Sequence, residues 1–166
     1  MRFVLALCVV AACTLCGNAM AAAARRRVRL LEALIQGLKR LRLHMISMFE
    51  PVRHALMASD CEILGAVGGN MGPGLSAARA WAATRAAARR KGGALDALDP
   101  EDLRTLDGMF DQLGESGRDQ QDLLIGGACA ALERQLEAAR RRTAEADRLY
   151  VSLGALTGLM IALILL

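Results

Sequence analysis

The sequence predicts an all-α fold, in which a helical bundle domain lies between an N-terminal and a C-terminal transmembrane helix. Hydrophobic residues make up 54% of the 166 residues, and the mean hydropathy of +0.30 is high for a soluble domain of this length. Alanine and leucine dominate the apolar residues, which favours helix over sheet. Both ends of the chain are long apolar runs that adjoin arginine clusters.

The first apolar run extends from Phe3 to Ala24 and is interrupted only by Thr14 and Asn18. A helix of this length, at about 1.5 Å per residue, covers about 33 Å and can cross a bilayer core of about 30 Å. Four of the five residues that follow are arginine, whereas Arg2 alone precedes the run. Because basic residues flank the cytoplasmic side of a membrane helix, we predict an uncleaved anchor over residues 1–24.

Two export signals are alternatives to this anchor. Ala19-Met20-Ala21 has the small-residue pattern of a signal-peptide cleavage site, and Val10-Ala11-Ala12-Cys13 resembles a lipobox. Either would make the chain an exported lipoprotein or a secreted helical protein, so the sequence leaves open whether the N-terminal segment is cleaved. The arginine bias favours the anchor, because export signals carry their positive charge before the apolar run.

The second apolar run, residues 150–166, predicts a C-terminal transmembrane helix at the short end of the spanning range. Its last seven residues are all hydrophobic. A buried terminal helix is the alternative, but Arg148 and the run Arg140-Arg141-Arg142 precede the segment and again predict a cytosolic side. Residues 25–149 are therefore the predicted cytosolic helical bundle domain, in a multi-pass protein of the cell membrane.

The bundle is predicted to begin with a helix over residues 25–49, because apolar residues recur there every three or four positions. They are Val28, Leu31, Leu34, Ile35, Leu38, Leu41, Met45 and Met48. Pro51 ends this helix, and shorter helices over 51–57 and 60–67 follow. Residues 68–74 predict a turn; they lack the Gly-Lys-Ser/Thr of a nucleotide-binding loop.

Capping signals mark the next helices. Ser76 is a predicted cap for a helix through Trp81 to Arg90, and Asp99-Pro100-Glu101-Asp102 marks the start of another. The longest helix is predicted over residues 119–150, where alternating steps of four and three residues indicate a narrow packing seam. The seam residues are Ile125, Cys129, Leu132, Leu136, Ala139, Thr143, Ala146 and Tyr150. Its predicted partner is the first helix, in an antiparallel pair.

No catalytic, cofactor or metal site is predicted. His44 and His54 lack neighbours at metal-ligand spacing, and no Gly-x-Ser-x-Gly sequence occurs. The basic runs lack interleaved aromatic residues, so nucleic-acid binding is not predicted either. An enzyme with an unrecognised site is the remaining alternative class, and a deep pocket with converging titratable side chains would indicate it.

Several short motifs, in their order and spacing, resemble the stage III sporulation protein AB family over nearly the whole chain. They are Pro51 to Leu56, Gly74 to Trp81, Glu101-Asp102, Leu113 to Gln121, and Tyr150 to Gly154 with Gly158. The chain departs from the family pattern at His44-Met45, at Ser47, and at Gly117, where the family has aspartate.

The resemblance implies a non-enzymatic membrane scaffold of the sporulation complex that links mother cell and forespore, on the mother-cell side. It also implies a helical domain similar to the inner-membrane platform protein of type II secretion. The implied partners are other proteins of the channel complex and a secretion-type ATPase, and homo-oligomers are left open. The predicted partner-binding residues are Leu113, Gly114, Glu115, Ser116, Arg118 and Gln121, while Trp81 and Phe110 are predicted core or interface anchors. A plain connection between two helices is the alternative for the segment 113–121.

Overall fold

The computed structural model describes residues 22, 24–90 and 92–165, with side chains described as far as residue 145. These residues form helices and connecting turns without a strand, which confirms the predicted all-α class. They divide into two compact units. One unit is Arg29–Glu137, and the other combines the described residues up to Val28 with those from Ala138 onward.

Six α-helices follow one another along the described chain. They are α1 (24–42), α2 (Val52–Met57), α3 (Glu62–Asn70), α4 (Ala77–Ala88), α5 (Pro100–Gln112) and α6 (Arg118–Leu165). A π-helical turn, Leu43–Ser47, directly continues α1. Helix α2 packs against α3, α3 against α4, and α4 against α5.

The predicted transmembrane segments fall largely outside this description. Residues 1–24 lie outside it apart from positions 22 and 24, as do the side chains of residues 150–166. The backbone of the second segment is helical to Leu165, at the end of α6. Among the described residues, no helix combines the length and the apolar character needed to cross a bilayer.

The core of the Arg29–Glu137 unit begins with the apolar stripe of α1. Leu31, Leu34, Leu38 and Leu41 are fully buried, as their spacing predicts. Met48, at the predicted end of the same stripe, is instead 54% exposed. The physical reason is the π-helical turn, because its extra residue per turn breaks the 3.6-residue period and rotates the following side chains off the buried face.

Two ion pairs join α1 to α6 within this unit. Lys39 Nζ lies 2.8 Å from Glu133 Oε1, and Arg42 donates to both carboxylate oxygens of Asp122 at 2.6 and 2.7 Å. Lys39 precedes Arg42 in α1, whereas its partner Glu133 follows Asp122 in α6. The two helices therefore run antiparallel. Four α6 residues of this unit at the predicted seam positions are buried: Ile125, Cys129, Leu132 and Leu136.

The Arg42–Asp122 pair should make the stability of this unit depend on acid pH. Hydrogen bonds from Arg42 lower the pKa of Asp122 in the folded protein. A lowered folded-state pKa means that the stabilisation is present above the unfolded pKa of about 3.9 and is lost as pH falls through the folded pKa. Asp122→Asn should therefore reduce the loss of stability below about pH 4, measured by urea unfolding of the detergent-solubilised full chain.

Asp111→Asn is the matched control for this pH prediction, because Asp111 is exposed and makes no ion pair among the described residues. Its acid dependence should match that of the wild type. An unchanged acid dependence in Asp122→Asn would contradict the assigned role of the pair.

Helix α3 is longer than predicted. It includes Gly68, Gly69 and Asn70, which the glycine content assigned to a turn; the turn begins only at Met71. A Cβ at position 68 would lie 2.9 Å from Met57 Cγ and 3.0 Å from the Arg53 carbonyl oxygen. Gly68 therefore allows close packing of α3 on α2, and its glycine does not mark a bend.

The capping signals are found where the sequence places them. Ser76 is the N-cap of α4 and its side chain accepts a hydrogen bond from Arg79 N at 3.5 Å. At the start of α5, Asp99 and Asp102 form a reciprocal capping box, with Pro100 at the first helical position. These caps satisfy N–H groups that a helix start otherwise leaves without a partner.

Candidate partner-binding surface

Trp81 and Phe110 belong to the core and not to a surface. Their rings stack with centroids 4.7 Å apart and an interplanar angle of 13°, and both side chains are buried. Trp81 Nε1 donates to Asp107 Oδ1 at 2.7 Å, and Arg85 donates to the other carboxylate oxygen at 2.6 Å. The two aromatic residues thus join α4 to α5. The indole N–H of Trp81 and the carboxylate of Asp107 both have hydrogen-bond partners.

Gln121 organises the turn between α5 and α6. Its side-chain oxygen accepts from Gly114 N at 3.1 Å, and its amide nitrogen donates to Gln112 O at 3.0 Å and Ser116 Oγ at 2.7 Å. Gln121 N also donates to Gly117 O at 2.9 Å. One buried side chain therefore holds both ends of the turn, with Gly114 in the left-handed region at φ +88°.

The structure divides the six predicted partner-binding residues into two sets. Leu113 and Gln121 are buried, so they hold the turn in place and present no side chain to a partner. Gly114, Glu115 and Arg118 are exposed and Ser116 is half-buried. The inward position of Gln121 was not predicted, whereas Leu113 continues the apolar residues of α5 that the sequence places on its helix.

The turn between α1 and α2 lies beside this segment. The Arg118 guanidinium carbon lies 3.8 Å from the centroid of the Phe49 ring, a cation–π contact. A Cβ at position 114 would lie 3.3 Å from Val52 Cγ2. Two turns that are distant in sequence thus meet, and the exposed side chains of Met48, Phe49, Glu115 and Arg118 share one region, hereafter the turn surface.

Phe49 is the most informative residue of the turn surface. Its side chain is 66% exposed, and its backbone has φ +60°, a region that bulky residues seldom adopt. Such a conformation costs on the order of 1–3 kcal/mol, and an exposed ring gains little from burial to offset it. The cation–π contact with Arg118, worth about 0.5–1 kcal/mol at an exposed site, offsets only part of this cost, so the local structure does not fully account for an aromatic residue at this position.

Two further exposed hydrophobic residues lie in the π-helical turn after α1 and near the start of α6. Leu43 and Leu123 are 49% and 76% exposed, and each directly follows one member of the Arg42–Asp122 pair. Phe49 and Leu123 were not predicted as surface residues. The predicted first helix extended as far as Phe49, and no motif included Leu123. The available signal was an aromatic residue two positions before Pro51, where a helix cannot continue.

The three departures from the family pattern lie at or near the same turns. His44 Nδ1 approaches Glu50 Oε2 to 3.2 Å without the geometry of a hydrogen bond, and Ser47 is exposed. Gly117 precedes the first residue of α6. An aspartate there could cap the helix through its side chain, whereas glycine leaves that acceptor out.

The described part of the chain contains no group of three or more His, Cys, Asp or Glu side chains placed to hold a metal ion. Cys61 and Cys129 are free thiols and both are buried. Burial raises the pKa of the Cys129 thiol, which keeps it in its less nucleophilic protonated form near neutral pH.

Comparison with known proteins identifies one family. A family model described as "Stage III sporulation protein AB (spore_III_AB)" matches residues 2–166, which confirms the resemblance inferred from the motifs. No curated protein and no solved structure gives a significant match to the chain.

Proposed function

Because this chain belongs to the stage III sporulation protein AB family, which implies a role in stage III of sporulation, we propose that it is a non-enzymatic membrane scaffold. In this proposal it docks other proteins of the complex between mother cell and forespore, including a secretion-type ATPase. The observation that carries docking is the turn surface, where an aromatic side chain is exposed in a disfavoured backbone conformation.

The turn surface has the composition of a docking site. Aromatic residues, methionine and arginine are enriched in protein interfaces, and Phe49, Met48 and Arg118 supply one of each. The hydrogen bonds of Gln121 fix the backbone of the α5–α6 turn before any partner binds. A preformed surface loses less conformational entropy on binding, so more of the contact energy is retained as affinity.

Membrane attachment is supported by the sequence at both ends. The apolar runs 3–24 and 150–166 are of spanning length, and the arginines beside each predict that residues 25–149 lie in the cytosol. Membership of the family implies that this is the cytosol of the mother cell. Mass spectrometry of the mature protein tests the anchor. An intact N-terminus at Met1 or Arg2 supports it, whereas cleavage near Ala21 or lipid on Cys13 would favour the exported alternative.

Docking of the ATPase should depend on the turn surface. Phe49→Ser and Met48→Ser should each lower recovery of the ATPase with the tagged protein from detergent-solubilised sporulating membranes by about tenfold, the loss expected for an interface residue that contributes about 1.4 kcal/mol. Met57→Ser is the matched control, because Met57 is a similarly exposed hydrophobic residue at the end of α2. Wild-type recovery with both surface variants, at equal protein levels, would overturn the assigned surface.

A further inference from the structure

We propose that the outer face of α4 is a second docking surface, which binds an acidic helix of a partner protein. The sequence supplies the first reason. Between Glu62 and Asp96 there is no acidic residue, but there are five basic residues, Arg79, Arg85, Arg89, Arg90 and Lys91. This is the longest stretch of the domain without an acidic residue, and its basic residues lie on α4 and directly after it.

The structure places these charges on the side of α4 that faces away from the core. The buried face of α4 consists of Ala77, Ala80, Trp81 and Thr84, which pack towards α3 and α5. On the opposite side, Arg79, Ala83 and Ala86 follow steps of four and three residues, and Arg90 lies in the bend after the helix; all four are exposed. Ala82 and Arg89 are exposed beside this row, and together these six residues are the α4 outer face.

Ion pairing leaves the charges of this face unneutralised. Arg85 alone of the described arginines on or next to α4 has an acidic partner, Asp107. Arg79, Arg89 and Arg90 form no ion pair among the residues that the structure describes. A partner with acidic side chains would therefore meet cations that are not already bound to carboxylates of this chain, which favours association and its rate.

Helix stability explains part of this pattern but not Arg79. Arg89 and Arg90 follow the C-terminal end of α4, where cations interact favourably with the helix dipole. Arg79, in contrast, is the third residue of the helix, next to the positive end of the dipole, where an acidic residue is favoured. The helix dipole therefore does not account for the cation at this position, which is available for an external contact.

The geometry of the face fits a helix. Arg79 lies in the first turn of α4 and Arg90 two residues beyond its end, so these two cations bracket the outer face of a helix about 18 Å long, and they suit acidic groups about three turns apart on one side of a second helix. Only alanine methyl groups lie between them in this row, and small side chains permit helix axes to approach to about 8 Å. The small residues thus allow carboxylates of the partner to reach the guanidinium groups.

The same residues disfavour two other anionic ligands. Helices that lie on a membrane surface insert bulky apolar side chains, and the α4 outer face offers only alanines between its arginines. Binding of single-stranded nucleic acid uses aromatic stacking, and Trp81, the aromatic residue of α4, is buried. An acidic helix requires neither feature.

Binding of designed peptides to the full-length protein in a neutral detergent tests this proposal. One alanine- and glutamine-based helical peptide carries glutamates eleven residues apart on a single face, and a second has the same composition with its glutamates spread around the helix. Fluorescence anisotropy should show tighter binding of the first peptide, by at least fivefold, and weakening at higher salt. Equal binding of both peptides would overturn the proposal.

Variants separate this face from general positive charge. Arg79→Ala with Arg90→Ala should weaken binding of the single-face peptide by about fivefold or more, whereas Arg104→Ala with Arg134→Ala should change it less than twofold. Arg104 and Arg134 are exposed arginines on α5 and α6, so both double variants remove the same charge. Equal effects of the two pairs would overturn the proposal.

A steric variant and two other ligands complete the test. Ala86→Leu should also weaken the peptide, because close approach of two helices requires a small residue there. An unaffected Ala86→Leu protein would contradict helix docking. Tighter binding of dioctanoyl phosphatidylglycerol or of a thymidine 20-mer, abolished by Arg79→Ala with Arg90→Ala, would assign the face to lipid or nucleic acid instead. This assay requires no other sporulation protein, so its outcome is independent of the turn surface.

Discussion

Replacing Phe110 by alanine should lower the free energy of unfolding by about 4 kcal/mol. Phe110 is fully buried, so the substitution removes a large apolar side chain and leaves a cavity between α4 and α5. It also removes the stacked contact with Trp81, and aromatic pairs of this kind contribute about 0.5–1.5 kcal/mol beyond their buried area. Urea unfolding of the detergent-solubilised full chain, followed by the fluorescence of Trp81, measures the change.

Leu123→Ala is the control for the core variant, because Leu123 is 76% exposed and its truncation should cost less than about 0.5 kcal/mol. Trp81 is the one tryptophan in the chain, so its emission reports directly on this part of the core. A Phe110→Ala protein with stability within 1 kcal/mol of the wild type would mean that α4 and α5 do not pack as described.

Gln121→Ala should destabilise the protein by about 2–3 kcal/mol and disorder the turn between α5 and α6. The substitution leaves Gly114 N and Gln112 O without their side-chain partner, and Gln121 is itself buried. Three hydrogen bonds of the Gln121 side chain are lost, and each contributes about 0.5–1.5 kcal/mol to stability. Hydrogen exchange at Gly114 should accelerate, since its N–H loses the Gln121 oxygen.

Gln120→Ala is the matched control, because Gln120 is the adjacent glutamine and is exposed. It should change stability by less than about 0.5 kcal/mol and leave exchange at Gly114 unchanged. If Gln121→Ala behaved like this control, the side chain would not hold the turn, and the preformed turn surface would lose its structural basis.

Helix positions and caps could be predicted from the sequence because they depend on local chemistry. Leu31 to Leu41 and Ile125 to Leu136 repeat with helical spacing, and a repeated apolar face has to be buried. Asp99 and Asp102 satisfy N–H groups within the same helix turn, so their role requires no tertiary information. The all-α class follows from such local signals.

The candidate surface could be predicted only in part, because it depends on contacts between distant segments. The sequence identified the segment from Leu113 to Gln121, but not that Gln121 turns inward to bind Gln112 and Gly114. It also gave no indication that Arg118 forms a cation–π contact with Phe49, which lies in a distant turn. The π-helical turn at Leu43–Ser47, which places Phe49 outside the α1 stripe, has no recognised sequence signature here.

Site-specific photocrosslinking at the turn surface in sporulating cells tests the scaffold proposal most directly. A photoreactive phenylalanine analogue at position 49 should yield a covalent adduct with the secretion-type ATPase, and the same analogue at position 57 should not. Both positions are exposed, so the comparison separates a specific interface from general accessibility. No ATPase adduct from position 49 in membranes that contain both proteins, or equal adducts from both positions, would contradict docking through this surface.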